Sequence, residues 1–292
     1  MTARVDLNGA VRPARLRIPR AVRSPLAIIG IVVAVAWLLI AILAPVIAPF
    51  DPIKPVGDRL AAPGGQHLMG TDTLGRDVFS RVIFGAQTSI PLSLLLVLLS
   101  MTLGSVLGAI AGYFGRVVDE VIMRITDLVF TFPTIILAMV IAAVLGPSLQ
   151  NAVIAMLIVT WPSYARVMRS LVISLRTREF VLADRLLGAS PWRVLGKDIL
   201  PNVAGSILVL ATLDVGTAIL LLSGLSYLGL GAIPPTAEWG SMIAVGTQNM
   251  DEWWIAVFPG LAILTVVLAV NFIGDALRDA LDPYTAGTAR AA

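Results

Sequence analysis

Charged residues are absent between Arg23 and Asp51, between Arg81 and Arg116, between Asp127 and Arg166, and between Glu252 and Asp275. Between Asp198 and Glu238 the one charge is Asp214. A helix that crosses a bilayer needs about 20 apolar residues. The stretch after Asp127 is long enough for two, and Gly146-Pro147-Ser148 with Gln150-Asn151 supplies a tight turn between them. The pattern therefore predicts six helices, at about 26–48, 90–112, 128–146, 151–171, 203–225 and 254–274. The expected class is an all-α integral membrane protein with a short polar elbow between its fourth and fifth helices. The first apolar run is longer than the 7–15 residues of a signal-peptide core and lacks a small-x-small cleavage site, so it reads as a span.

Composition agrees with this pattern. Of 292 residues, 58% are hydrophobic and only 13% charged, against about 25% charged in soluble domains. Such a chain cannot wet a surface exposed to water on all sides. With no cysteine, disulfides and thiolate metal sites are excluded.

A pI near 9.7 raises the question of a nucleic-acid partner. The distribution of charge argues for membrane topology instead. Arg4, Arg12, Arg15, Arg17, Arg20 and Arg23 crowd the segment before the first apolar run, the mark of a cytoplasmic flank. With six helices and that flank inside, both termini are cytoplasmic. The outer loops then hold Lys54, Arg59, Arg76 and Arg81, and the other 17 of the 21 basic residues lie inside.

One inner segment is unlike its surroundings. Residues 179–202 read EFVLADRLLGASPWRVLGKDILPN, with charges every few residues. A short helix is expected over 178–187, ended by Gly188, which tolerates a left-handed backbone. Ser190 is placed to cap a second short helix with Pro191 in its first turn. That helix runs through Trp192, Arg193 and Leu195 to about Leu200, and Pro201 is expected to break it. Phe180, Ala183 and Leu187 share one face, and Trp192, Leu195 and Ile199 share another. Glu179, Asp184, Arg185, Arg193 and Lys197 surround them. The segment is either an interfacial linker between two spans or a docking surface for a soluble partner.

The same residues resemble the EAA motif of binding-protein-dependent ABC importers: Glu-Ala-Ala, three residues, Gly, then a later Ile-x-Leu-Pro. Leu182-Ala183-Asp184 stands for Glu-Ala-Ala, Gly188 and Leu200-Pro201 match, and Asp198 replaces the isoleucine. The acidic first residue is missing. His67-Leu-Met-Gly-Thr-Asp72-Thr-Leu-Gly-Arg76-Asp77-Val-Phe-Ser-Arg81-Val-Ile-Phe-Gly-Ala is similar to a signature of dipeptide, oligopeptide and nickel permeases, of the "C" type. Leu225-Ser-Tyr-Leu-Gly-Leu-Gly with Pro234-Pro235-Thr-Ala-Glu238-Trp239-Gly240 resembles a second. Gln87 stands where that group commonly has arginine. The likeness covers roughly 25–285.

The resemblance implies an organisation. Residues 1–25 are a basic cytoplasmic tail, 26–48 the first helix, 49–89 an extracytoplasmic segment, 90–285 a core of five helices, and 286–292 a tail. Within the core, 178–201 would be the coupling segment, with Glu179, Phe180, Ala183, Asp184, Arg185, Leu187, Gly188, Ala189, Trp192, Arg193, Leu200 and Pro201 meeting an ATPase. The implied partners are a homologous "B"-type permease, two ABC ATPase subunits or domains, an extracytoplasmic solute-binding protein and the lipid of the cell inner membrane; no nucleic acid is implied. ATP and Mg would be used by the ATPases, with no cofactor bound by this chain. The implied cargo is a di- or oligopeptide, with nickel or another small solute as the alternative.

Three readings of the residues stand apart from the resemblance. Asp72–Arg76 and Asp77–Arg81 are acid-to-base pairs at i,i+4, and Leu74, Val78 and Val82 share a face, which predicts an amphipathic outer helix. His67, the one histidine, has no second soft ligand near it for a metal. Asp214, deep in the fifth helix, is the candidate for the substrate path.

Rival functions find less in the chain. An ion-coupled transporter carries ionisable residues within its spans, and here Asp214 is nearly alone. An intramembrane enzyme needs an acid–base or nucleophile set, and none is evident. Gly196-Lys197 resembles the end of a Walker A loop, but Pro191 sits in place of the upstream glycine and Asp198 follows where Ser or Thr is needed. ATP hydrolysis by this chain is not expected.

Overall fold

The computed structural model describes residues 24–281. The basic residues before Ser24 and the carboxyl tail lie outside them. Among the described residues the chain is helices and turns, with one isolated bridge between Thr71 and Asp77 and no strand. The helices are α1 (Pro25–Ile47), α2 (Val78–Phe114), α3 (Arg116–Phe130), α4 (Thr134–Leu145), α5 (Leu149–Leu175), α6 (Glu179–Leu186), α7 (Pro191–Arg193), α8 (Leu200–Tyr227), α9 (Trp239–Thr247) and α10 (Trp254–Leu281). A π-helical turn, Val194–Ile199, joins α7 to α8.

Four helices are long and apolar enough to cross a membrane: α1, α2, the continuous run from Pro191 to Tyr227, and α10. The bent pair α3–α4 makes a fifth if it counts as one crossing. The third helix expected over 128–146 is thus corrected. Helix α3 ends at Phe130, α4 starts at Thr134, and the two meet at 90°. Pro133 disfavours helical backbone at Phe132 and forces the break. Helix α5 has the length to cross, with Arg166 and Arg169 near its end.

Small residues bring the long helices together. Gly104, Gly108 and Gly112 recur every fourth residue along one face of α2, against Trp161, Ala165 and Arg169 of α5. A Cβ on any of the three would collide with backbone atoms of α5. This close approach is how helices associate in lipid, where burial of apolar side chains supplies little drive. Gly274 of α10 similarly admits the Leu213 side chain of α8, and Gly30 of α1 lies against the Ala269 carbonyl. Trp37 Nε1 also donates to Thr265 Oγ1 at 3.0 Å, tying α1 to α10. Large apolar side chains such as Ile42, Val46 and Val144 face outward, as they do against lipid.

The segment before α2 is not the amphipathic helix that its charge spacing suggested. Residues 67–77 form tight turns, with Gly70 and Gly75 at φ +73° and +76°, and α2 starts only at Val78. The Asp72–Arg76 pair exists, with Nε 2.7 Å from Oδ2, but it closes a turn. Asp77 pairs with His67 rather than Arg81 and caps α2 through Ser80 N–H at 2.8 Å. Backbone approach explains the difference: a Cβ on Gly75 would sit 2.5 Å from the Gly57 carbonyl oxygen, so the strand of loop at 56–57 is packed where a helix would need side chains.

Candidate functional site

The jointed segment after α5 turns through two short helices, α6 and α7. Helix α6 ends in a Schellman arrangement: Gly188 N–H donates to Arg185 O at 3.1 Å, and Ala189 N–H to Asp184 O at 3.0 Å. Gly188 has φ +85°, a region that L side chains rarely adopt. Ser190 caps α7, accepting from Arg193 N–H at 3.4 Å, and Pro191 holds the first position.

Two expectations for this segment need correction. Pro201 does not break the helix. The π-helical turn before it shifts the bonding by one residue, with Leu200 N–H donating to Leu195 O, so the helix runs on into α8 without the N–H that proline lacks. The second expected face is also divided. Leu195 and Ile199 are buried, together with Val181 and Val194, while Trp192 stands outside and meets Phe114 of α2 at 5.6 Å between ring centres.

What remains outward is apolar. Leu186, Leu187 and Trp192 are 89%, 85% and 65% exposed, and Phe180 and Ala183 are also exposed. Glu179, Arg185, Arg193 and Leu200 are exposed beside them, while Ala189 and Asp184 are half-buried. Asp184 faces the Asp198 carboxylate. The base of the corner is held by α3: Asp119 forms a two-pronged ion pair with Arg169 of α5, and Asp127 meets Arg166 at 2.8 Å.

Asp214 is midway along α8 and lines a cavity of 320 Å³ between α2, α4, α5 and α8. Ser100, Thr134, Thr160, Ser163 and Thr217 supply its hydroxyl groups, and Leu96, Val97 and Leu221 its apolar wall. The Tyr164 hydroxyl lies beside the Asp214 carboxylate but is buried without a full hydrogen-bond partner. Thr212 uses its hydroxyl on the Leu208 carbonyl at 2.8 Å and is no partner for Asp214.

At the far end of α2 and α8 a polar network ties the loops. Arg81 Nη1 donates to the carbonyls of Pro52 at 2.7 Å and Pro235 at 3.3 Å. Glu238 caps α9, accepting from Gly240 and Ser241 N–H at 2.9 and 2.8 Å, and burial holds its carboxyl above the usual range. Trp239 lies in the notch left by Gly85 and donates to Val82 O at 2.9 Å. Sequence reasoning saw Glu238 and Trp239 only as motif letters. Their role is to dock the loop before α9 on α2. Gln87, the departure from the signature, donates to Ala41 O of α1 at 2.7 Å and so has a structural use.

Residues 104–286 match a family described as the binding-protein-dependent transport system inner membrane component. Residues 15–63 match the N-terminal TM domain of oligopeptide transport permease C. The chain belongs to this permease family. It is 44% identical, over 95% of its length and 92% of the other's, to a dipeptide transport system permease protein of Alkalihalophilus pseudofirmus. It is 46% identical, over 81% of its length and 86% of the other's, to a nickel transport system permease protein of Escherichia coli K12. A structure of the MetNI methionine ABC transporter in inward-facing form shares the fold, with a TM-score of 0.57 at 16% identity over 70% of this chain and 98% of that one. As a permease of this family the protein is a multi-pass inner-membrane component of an ABC transporter.

Proposed function

We propose that this permease is one of the two membrane subunits of an ATP-driven importer for di- or oligopeptides, and that ATP work enters it through 179–201. The observation that carries the reading is the outward apolar surface of Phe180, Leu186, Leu187 and Trp192 on a corner whose angle Gly188 fixes. A bare linker would not leave four large apolar side chains uncovered beside water-facing charges. A cytoplasmic ATPase supplies the missing cover, and its closure moves the corner together with α5 and α8.

In this reading the chain crosses the membrane six times, through α1, α2, α4, α5, α8 and α10, with both termini cytoplasmic. Helix α3 then lies along the inner surface, and the polar loops before α2 and α9 face outward. At about 1.5 Å per residue, α4 spans only ~18 Å, so it crosses with help from the turns at its ends. Asp214 and its hydroxyl-lined cavity face the substrate path, which this subunit forms with a second, homologous permease. An extracytoplasmic binding protein delivers the cargo, and separate ATPases use ATP and Mg. The helical setting of Gly196-Lys197 supports that division, since a phosphate-cradling loop needs a turn between strand and helix.

Peptide cargo is favoured by the similarity of nearly the whole chain to a dipeptide permease. The nickel permease is equally similar over a shorter stretch and gives the second reading. Uptake into vesicles holding both permeases and the ATPases, with the binding protein outside, decides between them. ATP-dependent uptake of labelled dipeptide and none of free nickel is the expected result; the opposite result establishes the nickel reading.

A further inference from the structure

A second cavity of 320 Å³ lies at the end of the bundle where α2 begins and α8 ends. Arg76 and Arg81 form one wall, and Ala244 of α9 and Gln248, the residue that follows α9, belong to the other. The two arginine side chains are only 7% and 6% exposed. They share a single carboxylate, Asp72, whose Oδ2 is 2.7 Å from Arg76 Nε and 3.6 Å from Arg81 Nε. Asp77 is taken by His67 and Ser80, and Glu238 by the N–H groups of α9.

The guanidinium donors are not all used. Arg81 Nη1 is bound by the Pro52 and Pro235 carbonyls. Both Nη atoms of Arg76 and Nη2 of Arg81 make no hydrogen bond among the described residues, yet none is sealed from solvent. Their open edge belongs to the cavity they line. Two desolvated cations facing one anion leave a positive excess that is costly to bury. A carboxylate accepting from paired guanidinium N–H groups removes that excess with the geometry arginine favours. The volume falls at the lower end of small-ligand cavities, which admits a chain terminus or small acid and excludes a folded surface.

We propose that this cavity is a carboxylate site that receives the C-terminal carboxylate of a short peptide on the outer side of the permease. It lies apart from the Asp214 cavity and rests on the importer reading for its orientation and for the peptide. Its ligand chemistry follows from the arginines alone.

The test titrates Ala-Ala and Ala-Ala amide into the purified complex of both permeases and the ATPases, without binding protein. Wild type is compared with Arg76→Gln and with Ala244→Phe, which fills the cavity from α9 without touching the ion pairs. The free acid should bind saturably and lose affinity with salt, while the amide and both variants bind about tenfold more weakly or worse. Equal titration by acid and amide, or unchanged binding in Ala244→Phe, overturns the site. Docking of the binding protein is measured separately on the same complexes; variants that weaken that docking but leave Ala-Ala binding unchanged also overturn the site and assign the cavity to an acidic side chain of that protein. Uptake of Ala-Ala by the wild-type complex in vesicles, with the binding protein added outside, separates the two claims. Uptake without acid-over-amide preference removes the site and leaves the import reading; preference without uptake does the reverse.

Discussion

Gly108 of α2 faces the backbone of Ala165 on α5, so closely that a Cβ on the glycine would lie 2.8 Å from the Ala165 Cα. With Gly104 and Gly112 it makes the seam along which the two helices run. Gly108→Leu should separate them and cost about 1–3 kcal/mol or more, as overpacking does. Gly260 on α10, with nothing within 4 Å of its Cβ position, is the control. The temperature of thermal inactivation of the detergent-solubilised complex should fall clearly for Gly108→Leu and little for Gly260→Ala. Equal losses would contradict the seam.

Topology is tested by labelling. The chain has no cysteine, so single cysteines report cleanly. In intact cells an impermeant maleimide should modify a cysteine at position 58 and spare one at 178. The reverse pattern would invert the orientation.

Asp214→Asn preserves shape and removes charge from the hydroxyl-lined cavity. The expected outcome is normal assembly with altered uptake, and a larger change for Asp214→Leu. Unchanged uptake in both variants, measured in vesicles at several substrate concentrations, would exclude Asp214 from the path.

Asp198 gives a pH prediction. Its Oδ2 is shut from solvent without a hydrogen-bond partner, and burial, then the Asp184 carboxylate, raises its pKa, while Lys197 and Arg193 pull it down. A carboxyl whose folded pKa is raised is destabilising once ionised, so its stability contribution falls as pH rises from the unfolded pKa through the folded one. Asp198→Asn should therefore melt higher than wild type at pH 8, with the gap shrinking toward pH 5. A gap that widens toward acid would contradict this.

Much of the architecture was legible because lipid leaves few options. Charge-free runs located α1, α8 and the start of α10 closely, although α10 runs on to Leu281 past Asp275 and Arg278, and glycine, serine and proline marked the joint at 188–191. The break at Pro133 was missed because hydropathy is blind to it, although proline itself was the signal. The turn before α2 was misread for a deeper reason: Asp72 and Arg76 can pair at i,i+4 in a turn as readily as in a helix, and Gly70 and Gly75 decide which. Pro201 looked like a helix end because the π-helical turn that accommodates it has no sequence signature of its own. The period-four glycines of α2 were visible, but their partner on α5 was not. Neither the Asp214 cavity nor the arginine-lined one could be drawn from sequence, since each needs residues brought from several helices or loops.

If 179–201 transmits ATP work, Gly188→Val should uncouple the transporter. At φ +85° a β-branched residue is strongly disfavoured, so valine should redirect α7 while leaving the long helices in place. The measurement is ATPase activity of the reconstituted complex, with and without loaded binding protein, beside substrate uptake in the same vesicles. Uptake should be lost while the ATPase either dissociates or turns over without regard to the loaded binding protein. Full uptake with normal stimulation in Gly188→Val would show the segment to be a linker and contradict the account.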